Sequence, residues 1–183
     1  QLDALGEPLY SDIQGPSVLE EARKRHGNPK LRSSDIEMKD LFVAVKDYYL
    51  EPGPTKNLID FCMNHQLSMT NLLLLGIRTY LSKVNNGQED ITIQNFISRR
   101  STHDEWTSGG SRTIMFPCRT VITPETDFLS AAYEIQNMQN RIYMHSNYDP
   151  AFIMDEMRKR YNTPEHTSYE SCYLTYQPMP VKV

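Results

Sequence analysis

The residues best equipped for chemistry lie close together in the middle of the chain, between Glu89 and Ile122. His103 is followed there by Asp104, and a histidine next to a carboxylate could be half of an acid–base pair. Adjacency in sequence does not supply the hydrogen-bond geometry that a nucleophile and its base require. The alternative interpretation, which we favour, is a polar loop tip formed by His103, Asp104 and Glu105 between two strands.

Four arginines from the same stretch could bind an anion together. They are Arg99, Arg100, Arg112 and Arg119. The alternative is that these arginines, at the ends of predicted strands, pair with carboxylates through their planar guanidinium groups. Further along, His145 in the sequence HSNYDP separates two predicted helices. A cap or hinge is expected at His145, because the carboxyl end of a helix favours imidazolium.

Metal, phosphate and thiol chemistry have no recognisable signature in the sequence. The five histidines show no HExxH or other metal-ligand spacing. Neither GxxxxGK[ST] nor GxGxxG occurs, so Gly109 and Gly110 are expected to let the chain bend into the next strand. The three cysteines are far apart and form no CxxC pair, which argues against a disulfide framework. Residue patterns alone assign no catalytic residue and no metal ligand.

Five helices are predicted from caps and hydrophobic periodicity. The first covers Ser17 to His26, with a serine cap, early glutamates and late cations. The other four begin after side-chain caps at Thr55, Ser68, Thr126 and Asp149. In the helix after Thr126, the predicted buried stripe is Phe128, Ala132, Ile135, Met138 and Ile142.

Four strands are predicted between these helices. The run from Asp40 to Leu50 is β-branched and aromatic, and Ile91, Ile93 and Ile97 alternate on one face of the second strand. The third strand runs to Ile122 and contains Pro117, which favours an edge position or a bulge because proline cannot donate a ladder hydrogen bond. SCYLTYQ is the last strand. The order of elements predicts an α/β fold, a mixed sheet with helices packed on it.

Composition limits the classes of partner. The 183 residues suit one compact domain or a large piece of one. With a formal net charge of −4, nothing in the composition indicates a nucleic-acid partner, for which a basic face would be expected. No apolar run approaches the roughly 18–20 residues that span a bilayer, and no signal peptide is recognised. No membrane or nucleic-acid partner is therefore predicted, and a cytoplasmic location is expected.

Four short motifs, in order, carry a resemblance to a known family. NNGQEDITIQNFISRR, SGGSRTIMFPCRTVI, MHSNYDPAFIMDEM and SYESCYLTYQP resemble successive segments of nonribosomal peptide synthetase condensation domains. The second places Gly110, Pro117 and Arg119 on the Gly, Pro and Arg of the family's I-G-x-F-V-N-T-L-P-L-R strand. The third places His145, Pro150 and Phe152 on its His-x-x-x-x-P-F motif. The start, QLDALGEPL, is similar to the stretch just after the closing helix of the family's first half, so the resemblance extends over most of residues 1–177.

The resemblance implies one half of a chloramphenicol-acetyltransferase-like fold, in which two α/β halves form a cleft. Residues 1–183 are expected to be the carboxy-terminal subdomain, incomplete at both ends, with residues 1–39 as an irregular, linker-like lead-in. The implied activity is acyl transfer in secondary metabolite biosynthesis, forming an amide or ester bond between carrier-bound substrates. Implied partners are the amino-terminal half, peptidyl or acyl carrier proteins and an adenylation domain. Phosphopantetheine would be carried by the carrier proteins, with no cofactor bound directly.

The family's His-His-x-x-x-Asp-Gly motif does not occur in this chain, which contains no His-His pair. The fragment is therefore expected to be inactive alone and to supply one wall of the cleft. Its candidate cleft or structural residues are Arg99, Gly110, Ile114, Arg119 and His145.

Ile114 stands where the family has Asn, and the Gly and Pro of another motif are replaced around Asn95–Ser98. These departures leave two alternatives open. One is a non-catalytic binding or scaffold module of the same fold, and the other is a coenzyme A-dependent acetyltransferase relative.

Overall fold

A computed structural model describes residues 2–13, 18–29, 31, 45–100, 102–163 and 169–177. Seven helices and three strands occur in these ranges. The helices are α1 (Leu2–Leu5), α2 (Val18–His26), α3 (Pro52–Asn64), α4 (Met69–Val84), α5 (His103–Thr107), α6 (Phe128–Met144) and α7 (Pro150–Tyr161). The strands are β1 (Asp90–Ser98), β2 (Thr113–Val121) and β3 (Tyr173–Leu174). No helix within the described ranges is long and apolar enough to cross a membrane.

The three strands form one mixed sheet in the order β2-β1-β3. β1 and β2 are antiparallel over their full lengths, with Asp90 opposite Val121 and Ser98 opposite Thr113. β3 runs parallel to β1 and pairs with Gln94 and Asn95. β2 is an edge strand of this sheet, so Pro117 lies where its missing N–H costs least, as the sequence predicts.

The main core lies between one face of the sheet and helices α4 and α6. Ile91 and Ile93 are almost fully buried there, and Ile97 is buried on the same face. Alternation along β1 therefore predicts its buried face correctly. The helices contribute Leu74, Leu75, Leu81, Ala131, Ala132, Ile135 and Met138. The predicted stripe on α6 is confirmed except at Phe128, which is 57% exposed at the first position of the helix.

The caps agree with the sequence prediction at two helices and differ at two. Ser68 accepts the Asn71 N–H at the start of α4, and Asp149 accepts the Ala151 N–H at the start of α7. Asp127 rather than Thr126 caps α6, because its carboxylate accepts two backbone N–H groups. α3 begins at Pro52, three residues before Thr55, since proline fits the first helical turn.

The predicted strand over Asp40–Leu50 is wrong for residues 45–50. They are exposed and have no strand or helix structure, so their β-branched and aromatic side chains have no sheet to pack against. Residues 40–44 of that prediction, and the predicted Ser17 cap, lie outside the described residues. The last strand, predicted over SCYLTYQ, is confined to Tyr173–Leu174.

Residues 5–12, here called the amino-terminal segment, bind the rest of the chain through polar contacts. The Tyr169 hydroxyl donates to the Glu7 carboxylate at 2.7 Å, and the Leu9 N–H donates to Asp90 at 3.4 Å. Gln88 donates to the Ser11 hydroxyl at 2.9 Å. These contacts hold the segment beside the start of β1 and the stretch before β3.

Candidate functional site

Arg119 is the most completely bonded of the predicted site residues. It is 9% exposed and makes a bidentate ion pair with Asp90, with Nε–Oδ1 and Nη2–Oδ2 distances of 2.9 and 2.7 Å. The strand register places Arg119 opposite Thr92, so Asp90 lies two residues further along the same face. Planar guanidinium and carboxylate groups match in this geometry, which makes the pair strong. For Arg119 the pairing alternative is therefore confirmed.

The same guanidinium also binds the amino-terminal segment. Nη1 donates to the Gly6 carbonyl at 2.7 Å, and Nη2 donates to the carbonyls of Leu5 and Glu7 at 3.0 and 3.3 Å. All five hydrogen bonds that the Arg119 guanidinium donates therefore go to acceptors within the protein. Arg119 therefore joins β2, β1 and the amino-terminal segment.

Two other arginines stabilise the connection between β1 and β2. Arg100 donates to the carbonyls of Glu105, Ser108 and Gly110, the last at 2.6 Å. Arg112 pairs with the Glu105 carboxylate at 2.7 Å. Gly110 has φ +90°, a conformation that disfavours any side chain. The connection therefore turns at Gly110, and the contacts of Arg100 and Arg112 stabilise it.

His103 and Asp104 belong to the short helix α5 at the exposed tip of this connection. Thr102 accepts the Glu105 N–H, and Glu105 accepts the Thr102 N–H, a complete capping box. The polar-tip interpretation is confirmed, although the tip is a helical turn and not an irregular loop.

Arg99 and Ile114 lie at the same end of the β1–β2 ladder. The Arg99 N–H donates to the Arg112 carbonyl at 2.9 Å, which continues the ladder beyond the strand ends. Ile114 is half-buried and lies opposite the buried Ile97. Ile114, which the resemblance aligns with the family's asparagine, thus lies directly across from an apolar side chain on the same sheet face.

A cavity of about 400 Å³ brings two of the predicted site residues together. Arg119 and His145 both line it, whereas Arg99, Gly110 and Ile114 do not. The cavity lies between β2, the carboxyl end of α6, α7 and the stretch before β3. His145 is the C-cap of α6, as the sequence predicts, and its N–H bonds to the Ile142 and Tyr143 carbonyls.

Three buried residues are among those of this cavity that the sequence prediction did not name as site residues. Thr92 is 3% exposed, Tyr169 3% and Glu170 4%. The Glu170 carboxylate accepts hydrogen bonds from the Gln94 amide and the Tyr169 N–H. Strand alternation indicates that Thr92 points away from Ile91 and Ile93, but nothing local indicates that this second face is covered.

The cysteine environments favour neutral thiols. Burial raises the pKa of Cys118 to about 12. Burial also raises the pKa of the Cys62 and Cys172 thiols above their ordinary value. Because the thiolate is the reactive form, these sites disfavour nucleophilic catalysis by cysteine. Within the described residues, no group of three His, Cys, Asp or Glu side chains could hold a metal ion.

Comparison with known proteins identifies a family and related folds. The Condensation domain family model matches residues 28–181. One of the plipastatin synthase subunits of Bacillus subtilis (strain 168) is 23% identical over 109 residues. That alignment covers 60% of this chain and 4% of the relative.

Solved structures agree at the level of the fold. The first condensation domain of the CDA synthetase superposes with a TM-score of 0.54 and 13% sequence identity, over 67% of this chain and 25% of that one. The first condensation domain of the calcium-dependent antibiotic synthetase, in complex with a substrate analogue, gives the same TM-score and identity and is covered over 26% of its length. The predicted α/β fold is confirmed, and the chain spans about a quarter of the solved relatives.

Proposed function

The chain belongs to the condensation domain family of nonribosomal peptide synthetases, and on that premise we propose that it is the carboxy-terminal half of such a domain. In this proposal it supplies one wall of the cleft in which an acyl group passes between two carrier-bound substrates. The single observation that carries the proposal is the family match over residues 28–181, with the four motifs in the family's order.

The proposed reaction is transfer of an acyl group from a thioester to an amine or alcohol. The acceptor nitrogen or oxygen attacks the thioester carbonyl, and collapse of the tetrahedral intermediate breaks the carbon–sulfur bond. The phosphopantetheine sulfur of the donor carrier leaves and takes up the proton that the acceptor loses, so that a free thiol is released. A general base and oxyanion donors accelerate such a step. We assign the base to the His-His-x-x-x-Asp-Gly motif of the amino-terminal half, because this chain has no His-His pair.

The role proposed for this chain's residues is positional. Arg119 joins β1, β2 and the amino-terminal segment, so it keeps that wall of the cleft in place. Gly110 and Arg100 fix the β1–β2 connection. Arg99, Ile114 and His145 are proposed as cleft or structural residues, and no catalytic role is proposed for any residue of this chain.

The proposed partners follow from the same family membership. They are the amino-terminal half of the domain, peptidyl or acyl carrier proteins that bring phosphopantetheine thioesters, and an adenylation domain. An exposed apolar patch at the turn between α6 and α7 is a candidate surface for the amino-terminal half. It consists of Met144, Tyr148 and Phe152, which are 72%, 54% and 61% exposed, with the Tyr148 and Phe152 rings 6.0 Å apart. Large exposed apolar patches are typical of interaction sites.

The decisive experiment combines this chain with its amino-terminal half in one polypeptide. The protein is incubated with an acyl-loaded donor carrier and an aminoacyl-loaded acceptor carrier, and the acceptor is analysed by mass spectrometry. We expect the acyl mass to appear on the acceptor, and the 183-residue chain alone to give no product. The proposal would be contradicted if the combined protein transferred no acyl group. It would also be contradicted if the upstream half lacked the His-His-x-x-x-Asp-Gly motif.

A second candidate is a scaffold module that kept the fold without the chemistry. Ile114 favours it, because a polar side chain of the family is replaced by an apolar one opposite Ile97. The Ile114→Asn variant distinguishes the two candidates. If the combined protein is inactive and Ile114→Asn restores acyl transfer, the scaffold interpretation is supported for the natural sequence. Free coenzyme A thioesters acting as donors would instead indicate the coenzyme A-dependent relative.

A further inference from the structure

We propose that the 400 Å³ cavity between β2, α6 and α7 is a binding site for a small, uncharged and mainly apolar molecule that carries one hydroxyl group. The proposal concerns this chain alone and does not depend on acyl transfer. Its basis is the combination of apolar walls, charged groups that are already paired, and one buried hydroxyl without a partner among the described residues.

The walls determine that the body of the ligand is apolar. The cavity volume lies within the range of roughly 300–1,000 Å³ that is common for small-molecule sites. Its apolar side chains come from three elements and include Phe116, Ile142, Ile153, Met154 and Met157. The two methionines, Met154 and Met157, can adapt to ligands of different shape, because methionine is unbranched and flexible.

The charged groups of the cavity argue against a charged ligand. Arg119 is engaged by Asp90 and by three backbone carbonyls. Glu170 accepts hydrogen bonds from Gln94 and from the Tyr169 N–H. Arg141 also lines the cavity, but it is exposed, so solvent and salt screen its charge, and His145 is exposed as well. A charged group in the buried part would therefore lose its hydration without gaining an unengaged counter-ion.

Thr92 provides the polar recognition. It lines the cavity, is 3% exposed, and its Oγ1 has no hydrogen-bond partner in the part of the chain that the structure describes. Buried hydroxyls are nearly always hydrogen-bonded, because leaving one unpaired costs its full desolvation. A ligand hydroxyl can both donate to and accept from Thr92, so it would satisfy this group and orient the ligand.

The test uses two probes that differ only in a hydroxyl, 4-phenyl-1-butanol and butylbenzene. The full 183-residue chain, labelled at its methionine methyl groups, is titrated with each probe and followed by NMR. We expect saturable shifts at Met154 and Met157 and none at Met63, which is 73% exposed on α3. The alcohol should bind roughly five- to tenfold more tightly than the hydrocarbon, since the hydrocarbon leaves Thr92 unpaired.

Variants assign the preference to the hydroxyl of Thr92. Thr92→Val keeps the shape of the side chain and should abolish or reverse the preference for the alcohol, because the hydroxyl of the probe then has no partner. Thr92→Ser keeps the hydroxyl and should retain the preference, which covers the case in which the valine variant does not fold. Thr120→Val is the matched control, because Thr120 is a buried threonine of β2 that does not line this cavity. No saturable shift at Met154 and Met157, equal binding of the probes to the natural chain, or a preference that survives Thr92→Val would overturn the proposal.

Discussion

Arginines that look alike in sequence have different roles at the level of single residues. Arg119 is buried in a bidentate pair with Asp90, whereas Arg112 pairs with Glu105 and is 44% exposed. A guanidinium in water loses little when its partner is removed, but a buried carboxylate left alone is strongly destabilising. Their contributions to stability should therefore differ severalfold.

We expect Arg119→Ala to lower the free energy of unfolding by about 3–5 kcal/mol, because Asp90 and the carbonyls of the amino-terminal segment lose their donors. Arg112→Ala is the matched control and should cost less than about 1 kcal/mol. Urea unfolding monitored by circular dichroism measures both. A loss at Arg119 no larger than that at Arg112 would show that the five hydrogen bonds do not stabilise the fold.

Cys118 gives a prediction about pH. Burial raises its pKa from 9.0 to about 12, so between these values the unfolded chain has lost a proton that the folded chain keeps. Stability should therefore fall as pH rises from 9 towards 12. Because other groups titrate in the same range, the measured quantity is the difference in slope between the natural chain and Cys118→Ala. Equal slopes would mean that the thiol is not protected in the fold.

Helices and the central hairpin are the elements that local sequence signals describe best. The Ser68 and Asp149 caps, the alternation of Ile91, Ile93 and Ile97 and the edge position of Pro117 were all predictable, because each depends on neighbouring residues or on side-chain periodicity. Residues 45–50 were not, because β propensity produces a strand only where a partner strand is present.

The cavity was largely unpredictable for a related reason. Thr92 follows the pattern of a solvated strand face, yet it is buried in a cavity that Tyr169 and Glu170, more than 70 positions further along the chain, also line. The Arg119–Asp90 pair likewise depends on the β1–β2 register, which spacing alone does not give. The position of His145 as a cap was predictable, because its place between two helices is a local feature of the sequence.

The start of α6 provides a test at the level of one element. The Asp127 carboxylate accepts the Leu129 and Ser130 N–H groups, whereas the Thr126 hydroxyl bonds to the Thr123 hydroxyl. Asp127→Ala should therefore lower the Tm, and Thr126→Ala should lower it less. Hydrogen bonds from Ser130 hold the pKa of Asp127 below its ordinary value. The cap's contribution should accordingly be present near neutral pH and be lost on acidification, when the carboxylate is protonated. Equal Tm values for the two variants at neutral pH would argue against Asp127 as the cap.

The chain as a whole combines a well-packed core with surfaces that remain apolar. α4 and α6 cover one face of the sheet, and the amino-terminal segment is bound near the other through Arg119. Met144, Tyr148 and Phe152 nevertheless stay exposed beside one another at the α6–α7 turn. Monomeric proteins rarely expose contiguous apolar area of this kind without a partner.

We therefore expect the 183-residue chain to self-associate when it is alone in solution, because among the described residues this patch stays exposed and association would bury it. Light scattering after size exclusion, over a range of protein concentrations, should show a mass that rises above 21.2 kDa. Replacing Tyr148 and Phe152 by Ser should restore a monomer, since both rings leave the patch. Tyr49→Ser is the matched control, because Tyr49 is 91% exposed in the stretch 45–50 and should leave association unchanged. In the combined two-half protein, the same double variant should also weaken acyl transfer if the patch contacts the amino-terminal half. A natural chain that stays monomeric at every concentration would instead show that the patch is stable in water, and the proposed docking surface would have to lie elsewhere.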